Sequence, residues 1–372
     1  MGSMAFWYDK KKSDSASNVK PSAVMNFNLW TQCSSSEDSF IDIGFLVSNI
    51  SASSKLHFYM PFPQAKIQDI SKTIKDSKLI SAIFNEKYSV VDSSNTDNFW
   101  AVLEAEKVKF VIYSWNEKNN GSVSQRGLDH GTLITIDTEK MLKEVKDVND
   151  PQVSSKMDFY FRFRVDVPSP TKDHTIVRKY APSSNFLQST WATTYIVDFR
   201  FNDVRSLPNE IIPSPNSKES EFVPIKKLHF FLMTKAHVDV EIGTGNIILR
   251  ELEENTWAKY IEEKFSTKDI VAYHCSEKVP ENKPPIRQWE FFAKLKVTNS
   301  ALKTIIFYFI VLTGITVILN CLSNFVWEMI ISNRWMLIAI IGFLYLILLY
   351  AVGRWNRIKI KRDKSIDKSS QK

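Results

Sequence analysis

The run Ile305-Ile306-Phe307-Tyr308-Phe309-Ile310-Val311-Leu312 lies inside a stretch, Thr304 to Trp327, that carries no charged side chain. A second uncharged stretch follows from Trp335 to Gly353, through Ile338-Ala339-Ile340-Ile341 and Leu346-Ile347-Leu348-Leu349. At about 1.5 Å of rise per residue, either run would cross the ~30 Å hydrocarbon core of a bilayer as a helix. Tyr308, Trp327, Trp335, Tyr350 and Trp355 stand at or near the ends, where aromatic rings favour the membrane interface. The pattern predicts a C-terminal two-helix transmembrane hairpin over residues 304–353.

Orientation follows from the flanking bases. The tail, residues 354–372, carries Arg354, Arg357, Lys359, Lys361, Arg362, Lys364, Lys368 and Lys372 against Asp363 and Asp367. Lys294, Lys296 and Lys303 precede the first run, and the segment joining the two runs holds only Glu328 and Arg334. The positive-inside rule then predicts two passes through the inner (plasma) membrane with both termini cytoplasmic. Arg357, Lys359, Lys361, Arg362 and Lys364 are candidates for contact with anionic lipid. Within the first run, Thr313, Thr316 and Asn320 recur on one helical face with Gly314 beside them. Polar and small residues in hydrocarbon favour helix association, so this face is the candidate for self-association or for lining a pore.

The remaining chain of this 372-residue protein is long enough for a substantial soluble core. The formal net charge is +7, of which the tail supplies eight bases less two acids. What precedes the membrane is close to neutral, which argues against nucleic acid as a partner. Three cysteines, with Cys321 inside a membrane run, fit a reducing compartment.

Residues 1–22 read as a disordered leader, beginning with an appended scar, Met1-Gly2-Ser3, and continuing through Lys10-Lys11-Lys12. Alternating, β-branched and aromatic segments then predict strands near 24–30, 40–47, 56–60, 99–103, 108–115, 131–137 and 191–201. Helices are predicted over 67–84, 139–148 and 248–265. The stretch Met157 to Val167 alternates, with Phe159, Phe161, Phe163 and Val165 on one face and Tyr160, Arg162 and Arg164 on the other. Proline-rich residues 168–185 suggest a boundary between a lobe at 23–167 and a second, with one helix, at 186–290; 291–303 reads as a juxtamembrane linker. Lys55-Leu56-His57-Phe58-Tyr59-Met60 echoes Lys227-Leu228-His229-Phe230-Phe231-Leu232. The expected fold class is therefore α+β: a mostly antiparallel, β-rich cytosolic region of two sandwich-like lobes, then the helical hairpin.

Motifs for chemistry are sparse. None of the six histidines falls in HExxH, His-x-His or paired-cysteine spacing, and Gly243-Thr244-Gly245 lacks the remaining residues of a phosphate loop. His274-Cys275 offers a base and a thiol, yet neighbours on a strand point to opposite faces. No catalytic, metal or cofactor site is predicted. Tyr160, Arg162 and Arg164, read as an outward face, form the candidate surface for a small ligand or a cytosolic partner protein.

The layout resembles two-span effectors of bacterial antiviral systems, in which a cytosolic sensor domain controls oligomerisation and membrane disruption. That resemblance implies a membrane-anchored, non-catalytic effector whose partners are the lipid bilayer, further copies of itself and an unidentified ligand. A membrane-tethered hydrolase or nuclease, and a scaffold for a partner protein, are the alternatives.

Overall fold

The structure is a computed structural model. It describes residues 2–11, 19–31, 33, 39–84, 86–92, 98–115, 121–148, 154, 156–168, 176–180, 192–211, 219–243, 246–261, 268–280, 282–298, 301–332, 339, 341–347 and 350. The chain divides into two compact units, Met1–Thr298 and Asn299–Lys372.

In the first unit the opening strands are β1 (Ala5–Lys10), β2 (Ser22–Trp30), β3 (Ser39–Ser48), β4 (Ser53–Met60), β5 (Ile67–Asp69) and β6 (Ser89–Asp92). Next come β7 (Phe99–Glu104), β8 (Lys107–Tyr113), β9 (Val123–Leu128), β10 (Gly131–Asp137), β11 (Phe159–Val167), β12 (Val177–Tyr180) and β13 (Ala192–Phe201). The last are β14 (Ser220–Phe222), β15 (Ile225–Lys235), β16 (Asp239–Ile242), β17 (Ile247–Glu251), β18 (Ile270–Lys278) and β19 (Trp289–Thr298). Helices cover Ser77–Phe84, Thr138–Val148 and Glu254–Ile261.

Three sheets result. The largest has ten strands in the order β17-β18-β15-β2-β3-β11-β8-β7-β6, with β5 added on β11. Its pairs are antiparallel except β2 with β15 and β8 with β11. A five-stranded sheet runs β14-β1-β4-β10-β9 and a four-stranded one β12-β13-β19-β16. One aromatic core draws on all three, through Phe6 and Phe58, Phe27, Phe45 and Phe161, and Phe199, Phe291 and Leu295. Ring pairs such as Phe6–Phe45 at 5.0 Å and Phe27–Phe199 at 4.8 Å join the sheets face to face. On the opposite face of the large sheet a second core packs Trp30, Tyr160 and Met233 with Leu79, Ile80, Trp257, Tyr260 and Ile261 of the helices.

The β-rich, mainly antiparallel character is as expected, but the division into lobes is not. Strands β2 and β15, from either side of the predicted 168–185 boundary, pair over Ala23–Trp30. The boundary itself contributes β12, which pairs with β13. Residues 1–22 are no simple leader: Phe6, Trp7 and Tyr8 are buried in β1, between β4 and β14. Even Ser3 is buried and accepts a hydrogen bond from the Asp203 amide at 3.0 Å. The aromatic run Phe6-Trp7-Tyr8 had strand character that the lysines after it concealed. Residues 291–298 are likewise strand rather than linker, with Phe291, Ala293 and Leu295 in the core. The predicted helix 248–265 resolves into β17 and the shorter helix Glu254–Ile261, and 67–84 into β5, a 3-10 turn and Ser77–Phe84. Strands β4 and β15, which carry the sequence echo, lie in different sheets with different kinds of neighbour.

In the second unit one helix runs from Ala301 to Ser332, and its Ile305–Glu328 portion is long and apolar enough to cross a membrane. This supports one span. Of the second predicted span, residues 341–347 are helical and exposed, and most of the run lies outside the described residues, as does the whole basic tail. The bases Arg357, Lys359, Lys361, Arg362 and Lys364 therefore have no structural description here.

Candidate functional site

Strand β11 is central in the large sheet, with β3 along one edge and β8 then β5 along the other. Central strands are commonly covered on both faces. Its second face is indeed covered, so Tyr160, Arg162 and Arg164 are not outward: Arg162 is 0% and Arg164 1% exposed. The expectation of an exposed ligand face is corrected to a buried polar seam beneath the Glu254–Ile261 helix. An alternating strand shows which residues share a face but not whether a helix later lies over it.

The seam occupies two successive rows across the sheet. One row reads His229, Asn26, Gly44, Arg162, and the next His274, Phe231, Asn28, Asp42, Arg164. Arg164 grips Asp42 bidentately, Nε to Oδ1 at 2.7 Å and Nη2 to Oδ2 at 3.2 Å, and donates from Nη2 to the Tyr260 carbonyl at 3.2 Å. Its guanidinium lies 4.2 Å from the Phe40 ring centre. Arg162 donates from Nε to the Tyr260 hydroxyl and from Nη1 to the Tyr160 hydroxyl, both at 2.7 Å. The Asn28 amide oxygen accepts from Arg162 Nη2 at 2.7 Å, and its nitrogen donates to the Phe27 carbonyl at 3.2 Å. Burial holds the Tyr260 phenol well above its ordinary range, so it is a neutral hydroxyl. The hydrogen-bond partners of Arg162 are thus all neutral oxygens. Burying a guanidinium without a directly paired carboxylate costs several kcal/mol, an order of magnitude that marks the residue as more than filler.

Toward β18 the seam becomes half-buried at His229 and His274. His229 Nδ1 and His274 Nε2 are 2.8 Å apart, and His274 stacks on Phe231 at 4.2 Å. Burial first, then the charge of Lys227 and the partner ring, push His229 down to about 3; burial and Lys227 also lower His274. The pair is neutral at pH 7. Cys275 points to the opposite face, in the aromatic core, and burial and Glu277 raise its thiol. His274 and Cys275 therefore do not form a base–nucleophile pair.

Two other polar groupings lie elsewhere. On the outer face of the five-stranded sheet, His57 bridges Thr135 Oγ1 and Asp9 Oδ2 at 3.0 Å each, and Ser220 donates to Asp9 Oδ1 at 2.7 Å. Burial works to raise Asp9, but the bonds from His57 and Ser220 hold it below its usual range. A hydroxyl, an imidazole and a carboxylate in line resemble a catalytic triad in composition only. β4 and β10 each pair on both sides, so their amides serve the ladders and not an oxyanion. The network ties four strands together, β1, β4, β10 and β14. A cleft of about 350 Å³ is walled in part by Asp203, Glu277, Glu290 and Trp289. Asp203 there is already engaged by Arg205 at 3.0 Å and Ser206 at 2.8 Å.

In the Ala301–Ser332 helix, Thr313 and Thr316 donate back to the carbonyls of Phe309 and Leu312 at 2.7 and 2.8 Å. Their hydroxyls are satisfied within the helix. No corresponding bond ties the exposed Asn320 amide to its own helix among the described residues. Asn320 is the member of the predicted face that retains hydrogen-bonding capacity.

No family model and no curated protein matches this chain. Among solved structures, the M1 zinc metallopeptidase from Deinococcus radiodurans aligns with TM-score 0.28 and 8% identity, over 74% of this chain and 42% of that one. A mutant of that enzyme bound to a Tyr-Ser-Ala substrate gives TM-score 0.29 with the same identity and coverages. The chain thus spans less than half the length of these peptidases. The Mu homology domain of Danio rerio Fcho1 aligns with TM-score 0.14 and 10% identity, over 76% of this chain and 81% of that domain. Likeness at this level assigns neither a fold family nor an activity.

Proposed function

We propose that this protein is a membrane-anchored, non-catalytic effector whose β-rich unit senses a ligand or partner and controls self-association of its membrane segment. The observation that carries the reading is the Ile305–Glu328 portion, a span-length apolar helix with the Asn320 amide on its surface. An amide in hydrocarbon gains by pairing with another helix, and typical interhelical polar contacts are worth ~0.6 kcal/mol, up to ~2 kcal/mol. Repeated around a ring of copies, that suffices to bias assembly and to open a path for ions. The finer reading has two passes, both termini cytoplasmic at the inner membrane, and the basic tail on anionic lipid. Its biological setting would be that of the antiviral effectors which the layout resembles.

The test uses purified full-length protein in liposomes. Asn320→Leu should lower the oligomer mass and abolish dye leakage, while Thr313→Val, whose hydroxyl is already satisfied, should leave both near the parent values. Full leakage by the Asn320 variant would sink the effector reading and turn attention to an enzyme or scaffold role for the soluble unit. Reporters fused at the two ends must both read cytoplasmic for the two-pass topology to stand.

A further inference from the structure

We propose that the end of the β-rich unit at which β19 finishes is a docking surface for anionic phospholipid headgroups, built from Arg178, Lys235, Lys268, Lys294 and Lys296 with Tyr180. This rests on the membrane reading above and goes beyond it, since the lipid contact lies on folded strands rather than on the tail. Only Asn299 and Ser300 separate Thr298, the last residue of β19, from the helix that begins at Ala301. At up to ~3.6 Å per residue, that connection spans no more than about 11 Å. A helix inserted in a bilayer therefore keeps the side chains around Thr298 close to the headgroups.

Strand register decides which side chains those are. Across the four-stranded sheet one row reads Tyr180, Thr194, Lys296, Asp239, and two residues further from Thr298 another reads Arg178, Ile196, Lys294, Glu241. Both rows point away from the aromatic core, which takes Phe291, Ala293 and Leu295 from the intervening positions of β19. Three residues join β15 to β16, so Lys235 at the end of β15 arrives at the same end of the unit. Its ammonium donates to the Lys268 carbonyl at 2.8 Å, just ahead of β18. Arg178, Lys268, Lys294 and Lys296 are exposed, and Tyr180 is 52% exposed. The acids that share these rows and turns are Asp239, Glu241 and Asp269, with Glu241 3.6 Å from Lys294, so five bases stand against three acids. The Lys296 Cα is two strand residues, ~7 Å, from Thr298, and a lysine stem carries its charge further. That is within reach of an anionic leaflet, whose attraction for bases extends about 8 Å at physiological salt. An exposed tyrosine beside the bases suits the same interface.

The test labels the lysines of the full chain with an amine-reactive reagent and reads each by mass spectrometry. The chain is placed in nanodiscs of phosphatidylcholine alone and of phosphatidylcholine with phosphatidylserine. Phosphatidylserine should slow labelling of Lys235, Lys268, Lys294 and Lys296 by about threefold at physiological salt, and about 0.5 M sodium chloride should remove the difference. Lys109 and Lys140, exposed elsewhere on the unit, should label alike in both discs. With Lys235, Lys294 and Lys296 all changed to Gln, Lys268 should label in phosphatidylserine as fast as in phosphatidylcholine. A tail variant with Lys359, Lys361, Arg362 and Lys364 changed to Gln should keep the protection. The salt arm uses the parent chain, so it decides even if the triple variant fails to fold. Equal labelling in the two discs, protection that survives high salt or the triple variant, protection shared by Lys109 and Lys140, or protection lost with the tail overturns the surface. Alkaline extraction separates the two failures: release of the chain sinks the membrane reading and the surface with it, whereas retention with equal labelling sinks the surface alone.

Discussion

A Cβ added to Gly44 would stand 2.3 Å from the Tyr160 hydroxyl and 3.1 Å from Arg162 Nη1. Neither group can retreat freely, because each is fixed by the other and by the helix above. Gly44→Ala should therefore destabilise the β-rich unit by about 2 kcal/mol, the cost of overpacking a filled site. It would appear as a lower urea midpoint with an unchanged slope. Asp42→Ala should cost more, about 3–5 kcal/mol, because it strands a buried guanidinium. The histidine pair sets a pH dependence whose sign is definite. His229 titrates near 3 in the folded protein against about 6.5 when unfolded, so between these values the unfolded chain binds more protons. The His229 contribution is full above pH 6.5 and is lost as pH falls toward 3, by roughly 1–2 kcal/mol at pH 5; His274, also lowered, acts in the same direction. Urea midpoints at pH 7 and pH 5 should differ by less in His229→Gln than in the parent; equal differences would assign the acid sensitivity to other groups.

Among the elements, β1 carries the largest departure from the sequence reading. Its outer edge pairs with β14 through Trp7–Phe222, Tyr8–Glu221 and Asp9–Ser220, and its inner edge with β4. Removing residues 2–10 would strip both ladders and leave Phe58 and Phe45 without Phe6. The shortened chain should be insoluble or expose dye-binding apolar surface, where a dispensable leader would leave unfolding unchanged. Strand identity was legible where alternation was long and uninterrupted, as in Phe159–Val167 and Ala192–Phe201. It was not legible in Ile247–Glu251, because Leu249, Leu252 and Trp257 also fit a helical period and only tertiary pairing with β18 decides. The seam was half legible. Arg162 and Arg164 stand out as charges on an aromatic strand, but Asn26, Asp42, His229 and Tyr260 join them only through pairings between distant segments.

For the whole molecule, the apolar C-terminal run and the β-rich class could be read directly, while the single β-rich unit Met1–Thr298 could not. The parallel pairing of β2 with β15 binds the two halves into one sheet, so unfolding of the β-rich unit should show one transition by tryptophan fluorescence and by far-ultraviolet circular dichroism. Two separated transitions would restore independent lobes. The same topology has a consequence in time. Asp9 and its partner Ser220 are 211 positions apart, and a ribosome working at roughly 5–20 residues per second needs about 10–40 s to cover that distance. Through that interval the nascent N-terminal strand carries an unpaired edge of aromatic residues, open to association with other chains. Synthesis of this protein should therefore lean on chaperones that shield its first strand, and slowed translation should raise aggregation rather than relieve it.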